Sequence, residues 1–248
     1  ILSFFGGSGR MPVFSIQDRP EIAFRGYAFA TASGAVPTAA ELQRLLLKMA
    51  LLRFNHFALP ATCAAGYENS IPGQSREGVV GRAEMSLLAD RARKMGMEIL
   101  LLPADPAAAP EAGTDADKTP SAAWFGGFLQ RCRQARASGE KVMVWSERFA
   151  GRGEWIRKIP GDVLVFQKGP HLERAALCRE KVLPFKKHHV QQVLCPAIRI
   201  QDRFVPALRG SMDAIRAAFQ LARAEKLAGI MLLGCEGGGS GCLPEASV

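Results

Sequence analysis

One recurring unit constrains this chain more than any other feature: a helical pattern, then a glycine, then a short, wholly apolar strand. It occurs at Arg93-Lys94-Met95-Gly96-Met97-Glu98-Ile99-Leu100-Leu101, at Ala137-Ser138-Gly139-Glu140-Lys141-Val142-Met143-Val144-Trp145, and at Lys226-Leu227-Ala228-Gly229-Ile230-Met231-Leu232-Leu233. Glycine adopts the left-handed geometry that ends a helix, and basic residues just before it suit the helix C-terminus. Strands that are apolar throughout, without alternation, are covered on both faces. Helices and strands in alternation imply parallel strands joined by right-handed crossovers. At 248 residues the chain has the length of a single α/β barrel. The expected fold is therefore a TIM-type (β/α) barrel.

The pattern places strands at Phe24–Ala30, His56–Leu59, Glu98–Leu102, Val142–Trp145, Val163–Phe166, Val190–Leu194 and Ile230–Leu233. These seven clear strands are one short of a full barrel. The gap falls between Leu102 and Trp124, where the Ala/Pro/Asp-rich run Pro103-Ala104-Asp105-Pro106-Ala107-Ala108-Ala109-Pro110 has the composition of a flexible connector. Thr38 and Glu41 form a capping box after Pro37, with Leu42, Leu45, Leu46 and Met49 on one face of the helix that follows. A second helix is expected from about Arg82 to Met95. A third carries Trp124, Phe128, Cys132 and Ala135 on one stripe. A fourth runs from about Ser211 to Lys226 with Ile215, Phe219 and Ala222 facing inward. Residues 1–20 are expected to be a lead-in or the end of a preceding domain, and residues 21–248 a barrel domain cut short after its last strand.

Charge narrows the partners. The formal net charge is +9, which by itself implies a solvated basic surface. The densest basic run, Lys186-Lys187-His188-His189, leads straight into an apolar strand and lacks the interleaved aromatics of a nucleic-acid site, so no nucleic-acid partner is expected. No apolar run approaches bilayer length, so no membrane partner is expected either. The six cysteines form no C-x-x-C pair and sit mostly in apolar elements, which reads as buried free thiols; a Cys235–Cys242 disulfide is the alternative. The four histidines lack ligand spacing, so neither a metal nor another cofactor is expected. Ile1-Leu2-Ser3-Phe4-Phe5 has no basic leader or cleavage site. Localisation stays open, unpaired thiols leaning towards the cytoplasm, and so does the oligomeric state.

Ile16-Gln17-Asp18-Arg19-Pro20 through Arg25-Gly26-Tyr27 resembles the barrel entry of bacterial family 20 glycoside hydrolases, the β-N-acetylhexosaminidases, in which an Asp-x-Pro turn leads to Arg-Gly on the first strand. Further similar segments follow in the same order along nearly the whole chain. They are Pro37-Thr38 through Leu52, Phe54-Asn55-His56-Phe57, Val144-Trp145-Ser146-Glu147 (the family's fifth strand), Ile159-Pro160-Gly161-Asp162-Val163, Cys195-Pro196, and Ala228-Gly229-Ile230 through Leu243-Pro244. The resemblance implies hydrolysis of terminal β-linked N-acetylhexosamines. In that chemistry the substrate's acetamido oxygen attacks the anomeric carbon, a Glu protonates the leaving oxygen, and an adjacent Asp orients the acetamido group. Its partner would be an N-acetylhexosamine-containing glycan.

The departures are as informative. No Asp-Glu dipeptide occurs anywhere in the chain, and the fourth strand that would carry it is not recognisable. The acidic residue late in the first strand becomes about Ala30. The sixth strand's Glu-Trp becomes Gln167-Lys168, the seventh strand's Trp about Gln201, and the last strand's Asp-Trp becomes Gly234-Cys235. Loss of one segment would leave the other strand ends intact, so these changes favour a degenerate member over a simple deletion. Catalysis is expected to be impaired, with Glu147 and Glu236 as weak candidate acids. The resemblance gives Arg25, Tyr67, Glu68, Asp105 and Trp145 as candidate sugar contacts: a guanidinium offers the paired donors that hydroxyls accept, and an indole at a strand's C-terminal end can stack on a sugar face. His56 is expected to be a satisfied core histidine, and His188 and His189 to face solvent. A non-catalytic carbohydrate-binding or scaffolding domain on the same barrel is the alternative.

Overall fold

A computed structural model describes residues 20–29, 38–60, 80–102, 121–138, 141–168, 175–198 and 208–234. The order is β1 (Phe24–Phe29), α1 (Ala39–Leu51), β2 (His56–Pro60), α2 (Arg82–Lys94), β3 (Glu98–Leu102), α3 (Ala122–Ser138), β4 (Met143–Trp145), a 3₁₀ turn (Ser146–Phe149), α4 (Gly153–Ile156), β5 (Leu164–Lys168), α5 (Ala175–Lys186), β6 (Gln191–Cys195), β7 (Ala197–Ile198), α6 (Leu208–Ala224) and β8 (Gly229–Gly234). Seven strands follow one path, β3-β2-β1-β8-β6-β5-β4, with β7 pairing β8 off that path. Every pairing is parallel. The curled sheet is a half-barrel, the incomplete form of the expected architecture.

Among the described residues β3 and β4 close the two ends of the path and pair only inward, so the sheet opens where the sequence lacks a recognisable strand. One side-chain link spans this opening. Lys141 Nζ, two residues before β4, lies 2.5 Å from Oε2 of Glu98, the first residue of β3.

Alternation along each strand sorts side chains between two compartments. Phe24, Ala28, Ala58, Leu100, Leu102, Trp145, Leu164, Phe166, Val193, Cys195, Met231 and Leu233 pack together inside the curl. An aromatic row crosses this interior: Trp145 lies 5.6 Å from Phe166, Phe166 6.2 Å from Phe24, and His56 stacks on Phe24 at 3.9 Å. The outer face is covered in three patches. Helices α1 and α2 cover β1–β3, α3 with the turn after β4 covers β4 and β5, and α5 with α6 covers β6 and β8.

The local chemistry accounts for most element ends. Thr38 caps α1 in the expected box: its backbone N–H and hydroxyl reach Glu41 Oε2 at 2.7 and 2.8 Å, and its oxygen accepts the Glu41 N–H. Leu42, Leu46 and Met49 are the buried stripe. Gly96 ends α2 at φ +72°, as its place in the recurring unit implies. Gly229 acts differently. The left-handed residue after α6 is Lys226, at φ +53°, whereas a β-carbon on Gly229 would overlap the carbonyl oxygen of Phe24 on β1. That glycine permits close strand approach instead of ending a helix. Gly139 lies outside the described residues.

Two expectations change. In α6 the inward stripe is Ser211, Ala214, Ala218, Leu221 and Ala222, with Glu225 buried just beyond the helix end, while Phe219 is 41% exposed. Small residues face the sheet here because α6 packs against both α5 and the strands. Helix α5 was not expected, since Pro184 lies inside it and an interior proline removes a helical hydrogen bond. Cys132 and Cys195 are buried thiols outside any disulfide, as expected; the Cys235–Cys242 pair lies outside the described residues.

Candidate functional site

In a parallel barrel the strand C-termini form the mouth where ligands bind. The inward-facing residues at that end include Ala28, Leu102, Trp145, Cys195 and Leu233, all buried and apolar. Lys168, two residues beyond the buried Phe166 on β5, shares its inward alternation and is half-buried. Trp145 ends β4, is 6% exposed and stands against Phe166. The chain then turns through Ser146–Phe149, which puts Glu147 on the exposed side of the turn with the Ser146 hydroxyl 3.4 Å from its Oε2. Trp145 and Glu147 thus lie side by side at the C-terminal end of β4. Tyr67, Glu68, Asp105 and Glu236 lie outside the described residues, as do Ala30, Gln201 and Cys235.

Arg25 is elsewhere. It is the second residue of β1, and its side chain points away from the Phe24–Ala28 interior face. Nε donates to the Arg53 carbonyl at 2.9 Å, and Nη1 donates to the carbonyls of Ile22 and Ala23 at 2.7 and 3.3 Å. These acceptors lie in the segments entering β1 and β2, at the strand N-termini. Arg25 clamps the barrel's entry end, and the structure does not bring it onto the rim with Trp145.

Gln167 of β5 is also spoken for. It is buried on the outer face, where its Nε2 donates to Gln192 Oε1 at 3.0 Å; Gln192 Nε2 in turn donates to the Val182 carbonyl of α5 at 3.1 Å. The amide chain satisfies polar groups that would otherwise be costly to bury.

A second polar cluster sits at the entry end. Asn55 Oδ1 accepts from the Arg25 backbone N–H at 2.8 Å, and Asn55 Nδ2 donates to the Ala23 carbonyl at 2.7 Å. This fixes the amide's orientation, so His56 Nδ1, 2.7 Å from the same Oδ1, is the donor. His56 Nε2 faces Glu98 at 3.5 Å. Burial pushes the imidazole pKa down to about 4, with Glu98 opposing. His56 is the satisfied core histidine the sequence suggested; His188 and His189 are exposed.

A glycosidic general acid must hold its proton near neutrality. The buried carboxylate among the described residues, Glu225, does the opposite. Its bond from Lys186 at 2.5 Å holds its pKa below the usual range, and Arg179 adds a second contact at 2.9 Å. It ties α5 to the end of α6. Among the described residues no group of three or more His, Cys, Asp or Glu side chains could hold a metal ion.

No protein-family model matches the sequence, and no curated protein sequence matches it. Solved structures do resemble the fold. The family 20 β-N-acetylhexosaminidase of Streptomyces coelicolor A3(2) superposes with a TM-score of 0.59 at 16% identity, covering 88% of this chain and 60% of that one. The Vibrio harveyi exo-β-N-acetylglucosaminidase in complex with N-acetylglucosamine gives 0.53 at 15% identity, covering 88% and 51%. A mutant Streptomyces plicatus β-hexosaminidase in complex with its product gives 0.55 at 14% identity, covering 86% and 59%. The chain therefore spans between half and three-fifths of the length of these structures. At such identities the likeness establishes a glycoside-hydrolase-like fold.

Proposed function

We propose that this half-barrel recognises N-acetylhexosamine-containing glycans at its C-terminal mouth and that its hydrolytic activity is impaired. The observation that carries this reading is the lining of that mouth. Family 20-type chemistry needs a protonated acid and a partner carboxylate facing the sugar. Among the described residues the inward strand ends are Ala28, Leu102, Trp145, Cys195 and Leu233, with Lys168 beyond them. The chain contains no Asp-Glu pair to supply the missing acids. In this reading Trp145, 6% exposed at the end of β4, forms the apolar floor of the mouth over which a pyranose would lie. Glu147 and Glu236 are the acids nearest in sequence to the strand ends, and Tyr67, Glu68 and Asp105 are the loop residues assigned to the same mouth.

The test is a chromogenic N-acetyl-β-glucosaminide together with a thermal-shift titration by N-acetylglucosamine. The reading expects little or no turnover and a ligand-dependent rise in melting temperature. Turnover abolished by Glu147→Gln would restore the hydrolase reading. An unchanged melting temperature at saturating sugar, with no turnover, would remove glycan recognition altogether.

A further inference from the structure

The turn that follows β4 carries a feature the sugar reading does not use. Arg148 holds its guanidinium carbon 5.8 Å from the Trp124 ring centroid, and Arg152 holds its own 4.1 Å from that of Trp155. The two indoles stack on each other, 6.2 Å apart at 27°. Each is also backed by a phenylalanine: Trp124 by Phe128 at 5.7 Å and 7°, Trp155 by Phe125 at 4.6 Å and 6°. Gly151 makes the bend between the two arginines at φ +70°, and the Arg152 N–H closes it on the Phe149 carbonyl at 3.0 Å. Two half-buried guanidiniums are thus laid on a rigid aromatic bed directly after Trp145.

These two arginines differ from five others on the surface. Arg93, Arg136, Arg179, Arg216 and Arg223 each meet a carboxylate. Among the described residues, Arg148 and Arg152 meet only rings. A stacked guanidinium keeps its edge donors in a fixed fork that matches a carboxylate or sulfate. Stacking has already removed much of the side-chain freedom that anion binding would otherwise cost. The stretch 146–158 carries four basic residues, Arg148, Arg152, Arg157 and Lys158, against two acids, Glu147 and Glu154. Lys168, at the end of the neighbouring strand, adds a positive charge to the same end of the barrel.

We infer that the Arg148–Trp124–Trp155–Arg152 platform binds the acidic groups of a negatively charged glycan, so that the preferred ligand is an N-acetylhexosamine polymer bearing carboxylate or sulfate. This rests on the glycan reading above and narrows it. Residues within the mouth would hold the amino sugar, and the platform would hold the anion of an adjoining unit.

The experiment compares three hexasaccharides by calorimetry at physiological salt: neutral chitohexaose, hyaluronan bearing carboxylates, and chondroitin 6-sulfate bearing both groups. The expected result is about tenfold tighter binding of at least one acidic oligosaccharide than of chitohexaose, the two acidic arms telling carboxylate from sulfate. The double variant Arg148→Lys with Arg152→Lys keeps the charge but loses the stacked fork. It should cut the preference to about twofold or less and leave chitohexaose affinity unchanged. Chitohexaose bound as tightly as both acidic chains would overturn this inference and leave the glycan reading standing. A preference that survives the double variant would assign it to diffuse positive charge and overturn the platform. Binding of none of the three would overturn both readings.

Discussion

Acidification isolates the energetic role of His56. Its imidazole stacks on Phe24 at 3.9 Å, donates from Nδ1 to Asn55 and has a side chain only 12% exposed. Burial lowers its pKa from 6.5 to about 4. The unfolded chain therefore binds a proton between those two values that the folded chain refuses. A base with a depressed folded pKa contributes fully above the unfolded value, and its contribution falls as pH drops from 6.5 towards 4. At about 1.4 kcal/mol per pKa unit, the whole effect is about 3 kcal/mol, and about 2 kcal/mol of it is lost between pH 7 and pH 4.5. Carboxylates titrate in the same range, so the contrast needs a matched variant. His56→Phe keeps an aromatic ring beside Phe24 and leaves Asn55 Oδ1 bonded to the Arg25 N–H. Urea denaturation at both pH values should show the parent losing about 2 kcal/mol more than the variant. Equal losses, or an NMR titration placing His56 near 6.5, would refute the argument.

Three further outcomes follow from single contacts. Lys226 holds a left-handed φ of +53° after α6, so Lys226→Gly should raise stability by about 0.5–1 kcal/mol in thermal melts. Gln192→Leu would leave the buried Gln167 amide without its acceptor and the Val182 carbonyl without its donor, a loss of about 1–3 kcal/mol in denaturant titrations. Arg25→Gln should cost about 1 kcal/mol, because the carbonyls of Arg53 and Ile22 lose their donors, while leaving chitohexaose affinity within twofold; a large loss of affinity would put Arg25 back in the sugar site.

The strands were readable because continuous apolar runs have no other use in a chain of this composition. The runs Glu98–Leu102 and Gly229–Gly234 fall where the sequence put them to within one residue. The α1 cap was readable because its two partners are three residues apart. What escaped was directional. Arg25 sits between Phe24 and Gly26, and the alternation Phe24, Gly26, Ala28 already marked the inward face; applying that period to Arg25 would have turned it outward. Helix α5 was hidden by Pro184, and β7, only two residues long and immediately after Pro196, is too short for any periodic signal. The arginine platform had no signature at all. Arg148 and Trp124 are far apart in sequence, and packing of α3 against the turn after β4 brings them together.

The central claim is that ligand recognition belongs to the strand C-termini of a parallel half-barrel. Amide chemical-shift mapping of isotope-labelled protein during a chitohexaose titration tests this directly. Shifts should concentrate at Trp145, Glu147, Lys168 and Cys195, with Asn55, His56 and Glu98 unmoved. Shifts confined to the Asn55–His56–Glu98 end would contradict it.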